Sequence, residues 1–132
     1  MKVTAKEQHG LRAMAKLAGR YGEGPVPLSE IARVQGVSLD YLEQVVPALR
    51  DAGLIDSTRG ARGGYELSRS PAAITVGEVL RALDGELLPI RCVQEGNAAP
   101  CDQSSTCSAR TVWETVHNRL LDALDGMTLA DL

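Results

Sequence analysis

No apolar run in the chain approaches the roughly 20 residues that a bilayer-crossing helix requires, and the start, MKVTAKEQHG, lacks the hydrophobic stretch of a secretory signal. Neither membrane insertion nor export is expected, so the protein is read as cytoplasmic, where thiols stay reduced. Histidine is scarce: His9 and His117 are the only two. No nucleophile motif accompanies them, and RGARGG suits a hairpin tip better than a strand-to-helix phosphate cradle, so an enzyme has little support. Internal repeats, low-complexity tracts and Cys-x-x-Cys pairs are also absent, the last of which argues against zinc.

What the chain does have is three cysteines, Cys92, Cys101 and Cys107, all within one polar, aromatic-free segment, CVQEGNAAPCDQSSTC. An odd count in a reducing compartment favours ligands or redox sensors over structural disulfides. The length, 132 residues, suits a single domain with one core. The net charge of −3 is unevenly spread. Residues 1–70 hold ten Lys/Arg against eight Asp/Glu, or +2, and residues 71–132 hold four against nine, or −5. That split is consistent with an N-terminal half that meets an anionic partner.

Thr4-Ala5-Lys6-Glu7 has the form of a capping box, and Leu11, Met14, Ala15 and Ala18 recur at helical spacing up to Tyr21. GEGPVP (22–27) breaks that helix, LSEIARVQ (28–35) makes a second, and Gly36-Val37-Ser38 is a turn with Ser38 as the expected N-cap of a third. Leu42, Val45, Val46 and Leu49 form the apolar stripe of helix three, which should stop at Gly53 and bend at Pro47. LIDST (54–58), RGARGG (59–64) and YELS (65–68) describe a β-hairpin with a flexible tip. The expected fold is mainly α with a small β-hairpin wing, a winged helix-turn-helix, followed by a long C-terminal dimerisation helix. Thr75-Val76-Gly77-Glu78 opens another helix through Val79, Leu80 and Leu83 to Gly85, and ELLPIR is expected to be extended. After Cys107, Val112, Trp113, Val116, Leu120 and Leu124 lie on one helical stripe ending at Gly126. A face this apolar needs cover, either from a second copy of the chain or from the domain's own core.

Read as a DNA-binding unit, the third helix offers Ser38, Asp40, Tyr41, Glu43 and Gln44 off its apolar stripe or at its start. Ser38 can cap and meet phosphate, Tyr41 can reach phosphate or stack, Glu43 can accept from a cytosine amino group, and Gln44 can pair with adenine. Each is equally at home as a solvated polar residue. Arg59 and Arg62 at the glycine-rich tip suit a minor groove, whose negative potential attracts guanidinium groups. Lys2 and Lys6 are further candidates for phosphate contact.

The run LSEIARVQGVSLDYLEQVVPALRDAGLIDSTRGARGGYELSRSPAAITVGEVLRALDGELLPIRC closely resembles the Rrf-two superfamily of bacterial winged-helix regulators, with YLEQ, LRDAGL, RGxxGGYxL and ITVGEV as its most specific pieces. The likeness extends from Met1 to TLADL. It implies a homodimer, paired through the helix near 108–125, that binds near-palindromic double-stranded promoter DNA with recognition helices in major grooves and wings in minor grooves. By position it assigns Tyr41, Glu43 and Gln44 to the recognition helix and Arg59 to the wing. Residues 1–85 would form the DNA-binding domain, 86–107 a cysteine loop, and 108–132 the dimerisation helix and tail.

The three cysteines look like those of the cluster-binding members (IscR-, NsrR- and RirA-like) and not like the CymR-like repressors, which lack the set. They imply an iron–sulfur cluster, [2Fe-2S] or [4Fe-4S], that senses redox state, nitric oxide or iron status. Two positions depart from the IscR-like pattern. Eight residues separate Cys92 from Cys101 where five are expected, and Arg110 stands where a histidine ligand is expected. NsrR-like members take an acidic ligand from the partner's first helix, where this chain has Gln8 between Glu7 and His9. The fourth ligand is therefore unassigned, with Glu7 and His9 as candidates and Asp102 and His117 as outsiders. The alternatives are a cluster-free, CymR-like repressor governed by thiol oxidation or a partner protein, a zinc site, or thiols without a role.

Overall fold

The computed structural model describes residues 3–84 and 108–132. Gly85, ELLPIR and all three cysteines lie outside the described residues, as do Lys2 and Asp102. Helix α1 spans Ala5–Gly19 and opens on the expected capping box: the Glu7 amide donates to Thr4 Oγ1 at 3.3 Å and the Thr4 amide donates to Glu7 Oε2 at 3.0 Å. Such a cap contributes about 1 kcal/mol by satisfying two otherwise orphaned donors. Helix α2 (Leu28–Gln35) stops at Gly36, whose φ of 68° lets the Val37 amide return to the Ala32 carbonyl at 3.1 Å. Helix α3 (Leu39–Asp51) then starts on Ser38, whose Oγ accepts from the Tyr41 amide at 3.1 Å. Pro47, where a bend is expected, sits within one continuous helical element.

Strands β1 (Ile55–Thr58) and β2 (Gly64–Leu67) pair antiparallel in the register Ile55 with Leu67 and Thr58 with Gly64. The segment expected only to break α1 from α2 adds a third edge to this hairpin. Val26 and Tyr65 exchange backbone hydrogen bonds of 2.8 and 2.9 Å, and Gly64 lies so close that a Cβ there would overlap the Val26 carbonyl. The sheet is thereby tied to the helices at the base of the wing.

The core joins Ala13, Met14 and Leu17 of α1 and Ile31 of α2 to the α3 stripe, Leu54, Ile55 and Leu67 of the hairpin, and Val79 and Leu83 of helix α4 (Val76–Asp84). All four stripe residues of α3 are buried, Leu42 completely. Helix α5 (Arg110–Gly126) contrasts with them: Val112, Trp113 and Val116 are 57%, 45% and 45% exposed, so the domain's own core does not cover that half of its stripe. Leu120 and Leu124 are half-buried.

After α5 the chain returns to the body. The Val76 amide donates to the Met127 carbonyl at 2.8 Å and the Leu129 amide to the Ile74 carbonyl at 3.0 Å, and Leu129, 2% exposed, enters the main core. Residues 127–132 thus complete the winged-helix body. Leu129→Ala is expected to cost roughly 2–5 kcal/mol of folding free energy, as a buried leucine does, measured by denaturant unfolding. A change under about 0.5 kcal/mol, typical of a surface site, would show that the tail is dispensable.

Candidate nucleic-acid interface

With its apolar stripe inward, α3 turns Asp40, Glu43 and Gln44 to solvent. Between α3 and the hairpin runs an open groove of about 430 Å³ that brings Glu43 together with Arg59, two residues selected from the sequence on separate grounds. Ser29, Arg50 and Thr58 line it too, and the sequence reading did not select them. Arg50 could have been found: it lies seven residues after Glu43, two helical turns along the same face. Arg62, Lys6 and Ser38 are exposed, Ser38 with its hydroxyl committed to the cap.

Tyr41 is placed differently from its α3 neighbours. It is half-buried against the core, and its hydroxyl meets His9 Nδ1 of α1 at 3.3 Å, with the two rings edge to face at 5.4 Å between centroids. The backbone carbonyl of His9 accepts from Gln35 Nε2 at 3.4 Å, so α1, α2 and the start of α3 are tied at one point. Glu7, 7% exposed, spends its carboxylate on the α1 cap. Arg110 donates to Glu114 Oε1 at 2.7 Å and, as a cation without a lone pair, cannot replace a histidine ligand. His117 is buried on α5. Among the described residues no group of His, Cys, Asp and Glu side chains could hold a metal ion.

Two carboxylates lie at the first turn of α4, Glu78 on it and Asp125 of α5 against Gly77. The Thr75 backbone amide, at 2.9 Å, does most to hold the Glu78 carboxyl below its ordinary range; burial opposes this, and Arg69 at 3.0 Å adds to it. Asp125 is lowered chiefly by its hydrogen bonds from Arg81, again against a smaller opposing effect of burial.

A helix-turn-helix whose second helix and hairpin share a groove is the architecture of a winged-helix DNA-binding protein. The chain belongs to the Rrf2 family, described as iron-dependent transcriptional regulators, whose family model matches residues 3–132. It is 41% identical over 133 residues to the HTH-type transcriptional regulator IscR of Aliivibrio salmonicida, covering all of this chain and 77% of that protein. The solved structure of CymR, the global cysteine regulator of B. subtilis, is 39% identical with a TM-score of 0.80, over 99% of this chain and 95% of that one. That of T. potens IscR is 42% identical with a TM-score of 0.79, over 99% and 85%. These relatives are transcriptional regulators and not enzymes, and so is this chain. The relatives named IscR and CymR are about equally similar to it. No helix of the described residues is long and apolar enough to cross a membrane.

Because both carboxyls are lowered on folding, their stabilisation is present above the unfolded-state value and is lost as pH falls through the folded one. Both side chains are about 40% exposed, so the effect is modest. The unfolding midpoint is expected to fall as pH drops below the ordinary carboxylate range, and Glu78→Gln with Asp125→Asn to flatten that decline. An unaltered acid limb in the double variant would assign it to other groups.

Proposed function

We propose that the chain is a cytoplasmic, homodimeric regulator that binds double-stranded promoter DNA and responds to a cluster held by Cys92, Cys101 and Cys107. The observation that carries the DNA half of this reading is the groove shared by Glu43 and Arg59. A helix seated in a major groove can direct Glu43 and Gln44 to base edges, while Arg59 and Arg62 on the adjoining hairpin reach the minor groove. Ser38 and Lys2 serve the phosphate backbone. Tyr41, bound to His9, acts from the edge of the interface, with its hydroxyl shared between α1 and phosphate. The exposed Val112, Trp113 and Val116 supply an apolar face for the second copy, since closed two-fold dimers are the commonest oligomers. In this reading residues 1–85 bind DNA, 86–107 form the thiol loop, and 108–132 comprise the dimer helix and the tail.

Three thiolates are the donor type that an iron–sulfur cluster, [2Fe-2S] or [4Fe-4S], takes from a protein. When bound, the cluster supplies sensitivity to oxygen, nitric oxide, redox state or iron supply. For its fourth ligand, Glu7 would have to give up its cap, whereas His9 keeps Nε2 available while Nδ1 meets Tyr41. Regulation requires loaded and unloaded dimers to differ in DNA affinity, and coupling of about 1–3 kcal/mol gives roughly 5–150-fold. A second reading, a cluster-free repressor of the CymR kind, is favoured by Arg110, paired with Glu114 at the position where the IscR-like pattern has a histidine.

Anaerobic purification with iron, sulfide and visible absorption measured on one sample distinguishes the two. Brown protein with matched iron and sulfide, lost in Cys92→Ala, Cys101→Ala or Cys107→Ala, is the expected result; colourless, iron-free protein after reconstitution selects the cluster-free regulator. On DNA, Arg59→Ala is expected to weaken binding and reduce the salt slope by about one. Glu43→Ala should cost about 1–3 kcal/mol on the specific site and little on random duplex, and equal losses on both would remove its base-reading role.

A further inference from the structure

Among the described residues, hydrogen bonds at the C-terminal end of α5 join it and the segment after it to the winged-helix body. Arg81 of α4 donates from Nη1 to Asp125 Oδ1 at 2.7 Å and from Nη2 to Oδ2 at 2.9 Å, the parallel two-bond geometry that fixes direction as well as distance. One turn before Arg81 lies Gly77, and the Asp125 carboxylate rests against it. A Cβ at Gly77 would overlap Asp125 Oδ1 and come within 3.0 Å of Arg81 Nη1. Helical side chains lean toward the N-terminus, so the guanidinium of Arg81 is laid back over the residue four positions earlier. The carboxylate therefore sits at the first turn of α4, where the aligned peptide dipoles of the helix favour an anion. Just beyond, the hydrogen bonds of Met127 and Leu129 to Val76 and Ile74 pin the chain again.

The root of α5 is thus held by a salt bridge, a close backbone approach and two backbone hydrogen bonds, whereas Val112, Trp113 and Val116 at its other end are exposed. A 17-residue helix is about 25 Å long. At that distance a change of roughly 10° at the root is a displacement of about 4 Å, more than the ~3.4 Å rise of one base pair.

We propose that Arg81, Asp125 and Gly77 form a clamp that sets the angle between α5 and the body, and thereby determines the half-site spacing that the dimer accepts on DNA. The clamp rests on the homodimer reading above, and its three members are positioning residues that need touch no DNA.

Selection from a randomised duplex library with the wild-type chain defines its half-site and preferred spacing. Fluorescein-labelled duplexes then carry that half-site once, or twice at the preferred spacing and at one and two base pairs more or less. Wild type is expected to bind the altered spacings about tenfold or more weakly. Arg81→Met and Asp125→Asn, each checked by thermal melting, are expected to reduce this discrimination to about threefold or less while single half-site affinity stays within about twofold. The double variant should be no worse than either single one, because both remove the same contact. Gly77→Ala, which displaces the carboxylate with both charges intact, provides an independent route to the same loss. Unchanged discrimination in all of these variants overturns the clamp. So does equal weakening on single and paired half-sites, which marks damage to the body itself. A wild-type chain that sediments as a monomer, or that binds single and paired half-sites alike, overturns the dimer reading and the clamp with it. A dimeric wild type whose variants keep its spacing preference overturns the clamp alone.

Discussion

Leu42, Val45, Val46 and Leu49 can all be buried at once only when α3 lies with that stripe on the helices and hairpin beneath it, and a helix so placed has no freedom about its other side. Each such side chain is stabilised by roughly 1.5–3 kcal/mol on leaving water, whereas a typical polar contact on the opposite face contributes about 1 kcal/mol. Rotating α3 far enough to hide Glu43 or Gln44 would expose at least two members of the stripe. The outward face of α3 is therefore fixed by the core, and its polar residues can vary without disturbing the fold.

How much of this could be read from the sequence depends on the range of the interactions. The caps at Thr4, Ser38 and Thr75, the stop at Gly36 and the α3 stripe are local, determined by residues within a few positions of one another, and each expectation matches the structure. Long-range pairings left weaker marks. Nothing around Val26 announces that it will bridge to Tyr65, because a single β-branched residue between prolines carries no strand pattern. Tyr41 reads as one more exposed polar residue of α3, and only the arrival of His9 from α1 turns it toward the core. Arg50 was legible by spacing. The return of Leu129 to the core was not, since one leucine in TLADL has no periodicity to betray it.

α4 touches α1, α3 and α5. Its first turn holds the Asp125 carboxylate and its far end leads into the cysteine-bearing segment, while its inner face, through Val79 and Leu83, shares the core with the α3 stripe. A shift of α4 along its axis would be felt at α3 and at the root of α5 together. Packed interiors transmit such shifts because they have few voids to absorb them.

The return of Leu129 also orders events in time. The chain beyond α5 pairs with Ile74 and Val76 beside the first turn of α4, so in sequence the thiol segment and α5 fall between α4 and a leucine that the core includes. During synthesis, α1 to α4 emerge with a gap in their core that is filled only when residue 129 arrives. Contacts of such long sequence separation form slowly. The ribosome therefore delivers the three cysteines before the residue that completes the body, and whatever first meets those thiols meets them on an unfinished protein.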